Sequence, residues 1–135
     1  MSFQTLNTEV IFYAQKTFGS TTDDRNDLIF DQVETIGPDG FADSTGQFFA
    51  PVSGLYRFTF SGTCNAYIVA IGVYKNGLDY LVISDDNEGD KEINISYTWM
   101  MKLAQSEEVR LKTITDLDVT PGSPLIFTGE LIHID

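Results

Sequence analysis

One cysteine, one histidine and eight basic residues are all that this 135-residue sequence holds of three chemically versatile classes. Each scarcity closes off a kind of protein. A lone cysteine, Cys64, rules out an internal disulfide framework and any Cys-x-x-Cys redox or zinc motif. Set in an apolar stretch, it reads as a small core residue rather than a nucleophile. A lone histidine, His133, provides no imidazole pair for zinc, and near the end of a strand it reads as a surface or edge residue. No glycine-rich loop opens a helix to cradle phosphate, and no Gly-x-Ser-x-Gly elbow is present. The residues point away from an enzyme. No apolar run approaches the roughly 18–20 residues that a membrane-spanning helix requires. Residues Met1–Asn7 lack the basic and apolar regions of a signal peptide. With 20 acidic residues against eight basic, the formal net charge is −12. Nucleic acids and anionic membrane surfaces are poor partners for such a body, because phosphate binding needs clustered Lys and Arg. Cationic partners and bound cations suit it better.

What the chain does have is aromatic residues, 13% of the total with ten Phe and six Tyr, in a background 42% hydrophobic and 21% charged. That balance describes one globular domain, with residues 1–9 as a tail and residues 10–135 as the folded unit. Nearly every segment reads as a strand. Val10–Ala14 opens the domain, Phe18–Asp27 reads as a polar loop, and Leu28–Val33 as the next strand. Tyr67–Tyr74 is apolar on both faces and is expected to be buried on both. It ends at Asn76-Gly77, a type I′ hairpin signal, so Leu78–Ile83 should return antiparallel to it. Ile93, Ile95, Tyr97, Trp99, Met101 and Leu103 alternate with polar residues and Met100, which predicts one half-buried strand. Val109–Ile114 and Leu125–Ile134 complete the set, the latter after a turn at Thr120–Pro124. Eight to ten strands without a convincing helix make an antiparallel sandwich or barrel.

The most informative string is Gly46–Phe60, where an apolar strand meets a Pro51–Gly54 corner and a strand bearing Tyr56, Phe58 and Phe60 on one face. Together with Phe12-x-Ala14, Ile29-Phe30-Asp31-x-Val33, Lys75-Asn76-Gly77 and Phe127-x-Gly129-x-Leu131-Ile132, it resembles the complement C1q globular-head domain, related to tumour necrosis factor. The resemblance runs from about Val10 to the last residue. It implies an all-β, ten-stranded antiparallel jelly-roll sandwich of two sheets, assembled as a homotrimer. Three copies would bring three times −12 together, so self-repulsion has to be relieved somewhere. In the pattern Gly54 turns the chain tightly, and Gly129 leaves room for a bulky neighbour.

The densest acidic cluster is Ser84–Glu92. Carboxylates on a Gly-containing loop are the hard oxygen ligands that calcium prefers. The spacing is not that of an EF-hand: counted from Asp85, glycine falls one position early and Ser96 takes the twelfth place. The resemblance implies calcium near the trimer axis, with Asp85, Asp86, Asp90 and Glu92 as the candidate ligands on a loop one residue shorter than the family's. Clusters Asp23-Asp24-Asp27 and Asp116/Asp118 are lesser candidates. Asn94-Ile95-Ser96 is a formal glycosylation sequon, and Trp99 reads as core before sugar platform. The function that follows from the resemblance is a non-enzymatic, extracellular or cell-surface recognition module binding protein or carbohydrate ligands multivalently. A structural trimerisation tip for a fibre and a cytokine-like receptor ligand are the alternatives.

Overall fold

Alternation puts one face of each long strand into the interior, and two sheets closed over that interior are the outcome. The computed structural model describes residues 9–21, 27–65, 68–86, 92–115, 117–120 and 122–135. Within them the strands are β1 (Ile11–Lys16), β2 (Ser20–Thr21), β3 (Gln32–Ile36), β4 (Phe41–Ala42), β5 (Gln47–Phe49), β6 (Gly54–Asn65), β7 (Ile68–Lys75), β8 (Leu78–Asp86), β9 (Glu92–Leu103), β10 (Glu108–Thr113), β11 (Leu117–Val119) and β12 (Leu125–Ile134). Sheet I runs β3-β1-β12-β6-β9 and sheet II runs β4-β5-β10-β7-β8, with every pairing antiparallel. These ten strands are the jelly-roll sandwich. The short pair β11 and β2 extends sheet I beyond β12, along the far end of β6.

The inner face of sheet I is laid out in rows across the strands. One row reads Phe12, Gly129, Phe58, Trp99, and the next reads Ala14, Phe127, Phe60, Tyr97. Val69, Ile71, Val73, Val109 and Leu111 of sheet II close over them, all with no exposed surface. Rings pack against rings: Phe12 lies 4.8 Å from Phe48 and 4.9 Å from Phe127, centroid to centroid, and Trp99 stacks on Phe127 at 6.2 Å. Each buried Phe of this kind contributes about 2–3 kcal/mol relative to exposure. Gly129 makes the arrangement feasible. A methyl group there would stand 2.2 Å from Phe12 Cε2, so the ring uses the space that a side chain would fill. Tyr56 ties the same strand to the corner before it, its hydroxyl donating to the Val52 carbonyl at 2.7 Å.

The hairpin at Asn76-Gly77 has φ of 53° and 80°, the two positive values of a type I′ turn, and β8 returns along β7. Other expectations are corrected. Leu28–Phe30 is not strand: Leu28 and Phe30 plug the core, and the Leu28 amide donates to Leu111 O of β10, beside the Asp27–Lys112 bridge. The strand begins only at Gln32, after Asp31 has been taken up by Thr17. The segment expected as a loop contains β2, and Asp27 bridges to Lys112. Gly54 has no positive φ; it is required because β12 passes close by, with His133 O 2.3 Å from where a Cβ would lie. Of the strand expected to be buried on both faces, Tyr67 lies outside the described residues. Tyr74 is covered by the chain itself, with Lys112 Nζ 5.3 Å above its ring, while Ile68 is half exposed.

Candidate ligand-binding surface

The acidic segment joins β8 to β9, the terminal strands of the two sheets. Asp85 is exposed near the end of β8, Asp86 is that strand's last residue, and Glu92 opens β9 with an exposed side chain. Asp90 lies outside the described residues, as do Asp23, Asp24 and Asp116. Among the described residues no three His, Cys, Asp or Glu side chains come together as a metal cluster. Asp27 instead faces Arg110 at 3.4 Å and Lys112 at 3.7 Å, and Asp118 is exposed on β11. His133 is exposed at a register shift in β12. Cys64 has no exposed surface, and burial pushes its thiol up to about 11, so it stays protonated and unreactive at neutral pH. Trp99 belongs to the core stack. Asn94 of the sequon is exposed on β9 and accepts a hydrogen bond from the Thr63 hydroxyl.

The outer face of sheet I was not legible as a unit in the sequence, because its residues come from five strands. Register aligns them. One row reads Ile36, Ile11, Glu130, Arg57, Met100; the next reads Glu34, Tyr13, Thr128, Thr59, Thr98; a third reads Gln32, Gln15, Ile126, Ser61, Ser96. Only Glu34, Glu130 and Arg57 carry charge in these rows. Arg57 neutralises Glu130, with Nε 2.9 Å from Oε1, and the Thr59 and Thr98 hydroxyls meet at 3.0 Å. Tyr13, Ile36 and Met100 are exposed, Met100 by 53%. Beyond these rows the same face carries Lys102 beside Leu55 and, at its far end, the row Asp118, Asn65, Glu92, so the low-charge part is the three rows themselves, where Glu34 on an edge strand is the one unbalanced acid.

Where the two sheets end side by side, the sandwich is open. β8 and β9 are not hydrogen-bonded to each other, although some of their Cα atoms approach within 8 Å. Between them lies a cleft of about 330 Å³, lined chiefly by Val82, Ser84, Asp85, Asn94, Ser96 and Tyr97. The alternation of β9 placed Tyr97 among the buried residues. Its row neighbours Phe127 and Phe60 are fully buried, yet Tyr97 is 47% exposed because no strand of sheet II covers it.

Two carboxylates have structural work that the sequence did not reveal. Burial opposes ionisation of Asp31, but the Thr17 hydroxyl and amide donate to it at 2.6 and 2.7 Å; with its own amide and Lys16, they hold its pKa below the usual value. Glu107 is lowered by the Ala104 amide at 2.7 Å and the Asn76 side-chain amide at 2.6 Å, and to a smaller degree by Lys75. A carboxylate whose folded pKa is depressed stabilises the fold above its unfolded pKa near 4. That contribution is lost as pH falls through the folded value. Asp31→Asn should therefore melt below wild type at pH 7, and the gap should close as pH falls below about 4, through the depressed folded-state value. A gap constant across an acid series of melting curves would show that the ionised carboxylate contributes nothing.

The family model described as C1q domain matches residues 11–132. Complement C1q tumor necrosis factor-related protein 3 of Mus musculus is 35% identical over 88 residues, 63% of this chain and 35% of that protein. The chain thus matches about a third of that relative's length. Among solved structures, the globular domain of zebrafish complement 1qA superposes with a TM-score of 0.77 at 17% identity, over 93% of this chain and 99% of that one. Murine APRIL superposes with a TM-score of 0.69 at 13% identity, over 91% and 99%.

Proposed function

The chain belongs to the C1q domain family, and from that membership we propose that it is a non-enzymatic, homotrimeric recognition head that acts outside the cell or at its surface. It binds protein or carbohydrate ligands multivalently. The observation that carries this reading is the outer face of sheet I. Its three central rows hold apolar side chains, hydroxyls, one internally neutralised ion pair and Glu34, while most of the chain's acids lie elsewhere. Exposed apolar surface of this kind marks association, and rows with little net charge are where three copies of an acidic chain can meet. Three weak sites on one rigid head then gain avidity toward a repetitive target. Sedimentation equilibrium at micromolar concentration should return about 45 kDa, three copies of the 15.0 kDa chain. A 15 kDa species would overturn the reading. Glycan and protein arrays probed with the trimer would then identify the ligand class.

Calcium is part of the proposal. Asp85 and Glu92 stand exposed at the two ends of the connecting segment, and with Asp86 and Asp90 they offer the hard carboxylate donors that calcium takes. Bound there, calcium would offset the local acidity of each copy. A cation at a hundred times its Kd stabilises the native state by about 2.7 kcal/mol. Melting in 2 mM CaCl2 should therefore exceed melting in EGTA by several degrees, and Asp85→Asn should shrink the difference. Identical midpoints would remove calcium from the proposal.

A further inference from the structure

Of the chain's asparagines only Asn76 is followed by glycine. That pair is chemically the least durable in a polypeptide, because glycine has no side chain to keep its amide nitrogen away from the asparagine side chain. In the attack Gly77 N bonds to Asn76 Cγ, and the Gly77 amide proton goes to solvent base. The Cγ–Nδ2 bond breaks and ammonia leaves. Water then opens the five-membered imide at either carbonyl, which gives aspartate or isoaspartate at position 76. No reactant besides water is required. Solvent reaches the pair, since Asn76, Gly77 and Leu78 are all exposed and nothing stands within 4 Å of where a Gly77 Cβ would lie.

The fold holds the side chain away from that attack. The Asn76 backbone amide donates to Glu108 O at 3.0 Å, and the Asn76 side-chain carbonyl accepts from the Glu108 amide at 2.9 Å. The side-chain NH2 donates to Glu107 Oε2 at 2.6 Å, while Glu107 Oε1 takes the Ala104 amide at 2.7 Å. Both ends of the carboxamide are therefore committed to the start of β10, and Cγ is turned sideways to that strand rather than forward along the chain to Gly77 N. One of these bonds ends on a carboxylate, the stronger kind. Glu107 is itself anchored. Its carbonyl accepts from the Ala50 amide, the Ser106 amide donates back to Ala50 O, and the Gln105 amide donates to Ser53 Oγ at 2.9 Å. The clasp thus joins the turns at 50–53, 76–77 and 104–107 at one end of the sandwich.

We propose that Asn76 is a site of spontaneous covalent conversion whose rate is set by its clasp with Glu107. While the clasp is closed the residue persists as the amide; when it opens, Cγ swings within reach of Gly77 N and conversion follows. The change reinforces itself. The product carboxylate has no N–H to donate, so it meets Glu107 as acceptor against acceptor and charge against charge, and the clasp cannot re-form. Isoaspartate also puts one more carbon into the backbone of a two-residue turn, which disrupts the Lys75–Leu78 pairing. Each converted copy goes from a net charge of −12 to −13. The hairpin is thereby a chemical timer on one end of the sandwich. It lies within a single chain and does not rest on the recognition function proposed above.

The test is peptide mapping by mass spectrometry of the full chain held at 37 °C and pH 8, which resolves amide, aspartate and isoaspartate at position 76. Wild-type protein unfolded in urea should convert at least roughly tenfold faster than the folded protein. Folded Glu107→Ala should convert about fivefold faster than folded wild type. Glu107→Gln keeps the shape but offers one oxygen to two donors, so its rate should fall between the two. Asp31→Asn separates the clasp from general loosening, because it removes a carboxylate held by Thr17 rather than by the hairpin and should convert at the wild-type rate. Circular dichroism checks that each variant is folded; if Glu107→Ala is not, Glu107→Gln decides, and a wild-type rate there overturns the proposal. Equal rates in folded and unfolded wild type, an unchanged rate in folded Glu107→Ala, or an equal acceleration by Asp31→Asn overturns it as well.

Discussion

Replacing Gly129 with alanine is expected to lower the unfolding free energy by about 3 kcal/mol and the melting temperature by roughly 10 °C. The new methyl would stand 2.2 Å from Phe12 Cε2 and 2.9 Å from Phe58 Cδ1. Neither ring can yield cheaply. Phe12 is 1% exposed and touches Phe41, Phe48 and Phe127, while Phe58 is fully buried against Phe48, Tyr56 and Trp99. A shift of either ring is passed through both sheets, because interiors at crystal-like density have no slack to absorb it. The cause can be isolated with a second variant. Phe12→Leu alone leaves a cavity and is destabilising, yet combined with Gly129→Ala it admits the methyl. The double variant should be more stable than the sum of the two losses predicts, by at least 1 kcal/mol in a double-mutant cycle at fixed protein concentration. Simple additivity would show that the clash is relieved elsewhere.

The same glycine shows why the scaffold was legible in the sequence. Strand alternation, the Asn76-Gly77 turn and the spacing Phe127-x-Gly129 are each written in consecutive residues, and each has a local physical cause. Tyr97 shows where that legibility ends. Its alternation is correct and its row is the core row, but burial depends on whether a strand of the other sheet arrives opposite, and none does. Leu28–Phe30 failed for a related reason. The residues are apolar and β-like, yet the Leu28 amide is taken by Leu111 of β10 and Asp31 is captured by Thr17, which sequence spacing cannot foresee. The acidic segment was visible as composition, with Asp85 and Glu92 at its ends. The cleft beside it was not, because Asp85, Asn94 and Tyr97 meet only through the edges of two different sheets. The neutral row on the outer face of sheet I likewise exists only once register has aligned Ile11, Glu130, Arg57 and Met100.

That row yields the second large effect. Met100→Glu is expected to weaken trimer formation by on the order of a hundredfold, about 2.7 kcal/mol, so that the protein at 10 µM sediments chiefly as a 15.0 kDa monomer. Met100 is 53% exposed in the single chain, so the fold has little need of it, and the circular dichroism of the variant should match wild type. Arg57 beside it already serves Glu130, which leaves Lys102, two residues along the same face of β9, as the nearby cation for a new carboxylate. The substitution enters three times in an assembly whose copies each carry −12, and acid added at a forming interface costs both desolvation and repulsion. Met100→Gln, polar but uncharged, should lose far less. Leu78→Glu, on a residue 73% exposed in sheet II, adds the same charge away from the face and should leave the mass unchanged. Repulsion between acidic copies also fixes the salt response. Raising NaCl from 0.02 to 0.5 M shortens the screening length well below 10 Å and should tighten the wild-type trimer, recovering part of the Met100→Glu loss. A Met100→Glu protein that still sediments at three times the chain mass would place the assembly contact on another face of the sandwich.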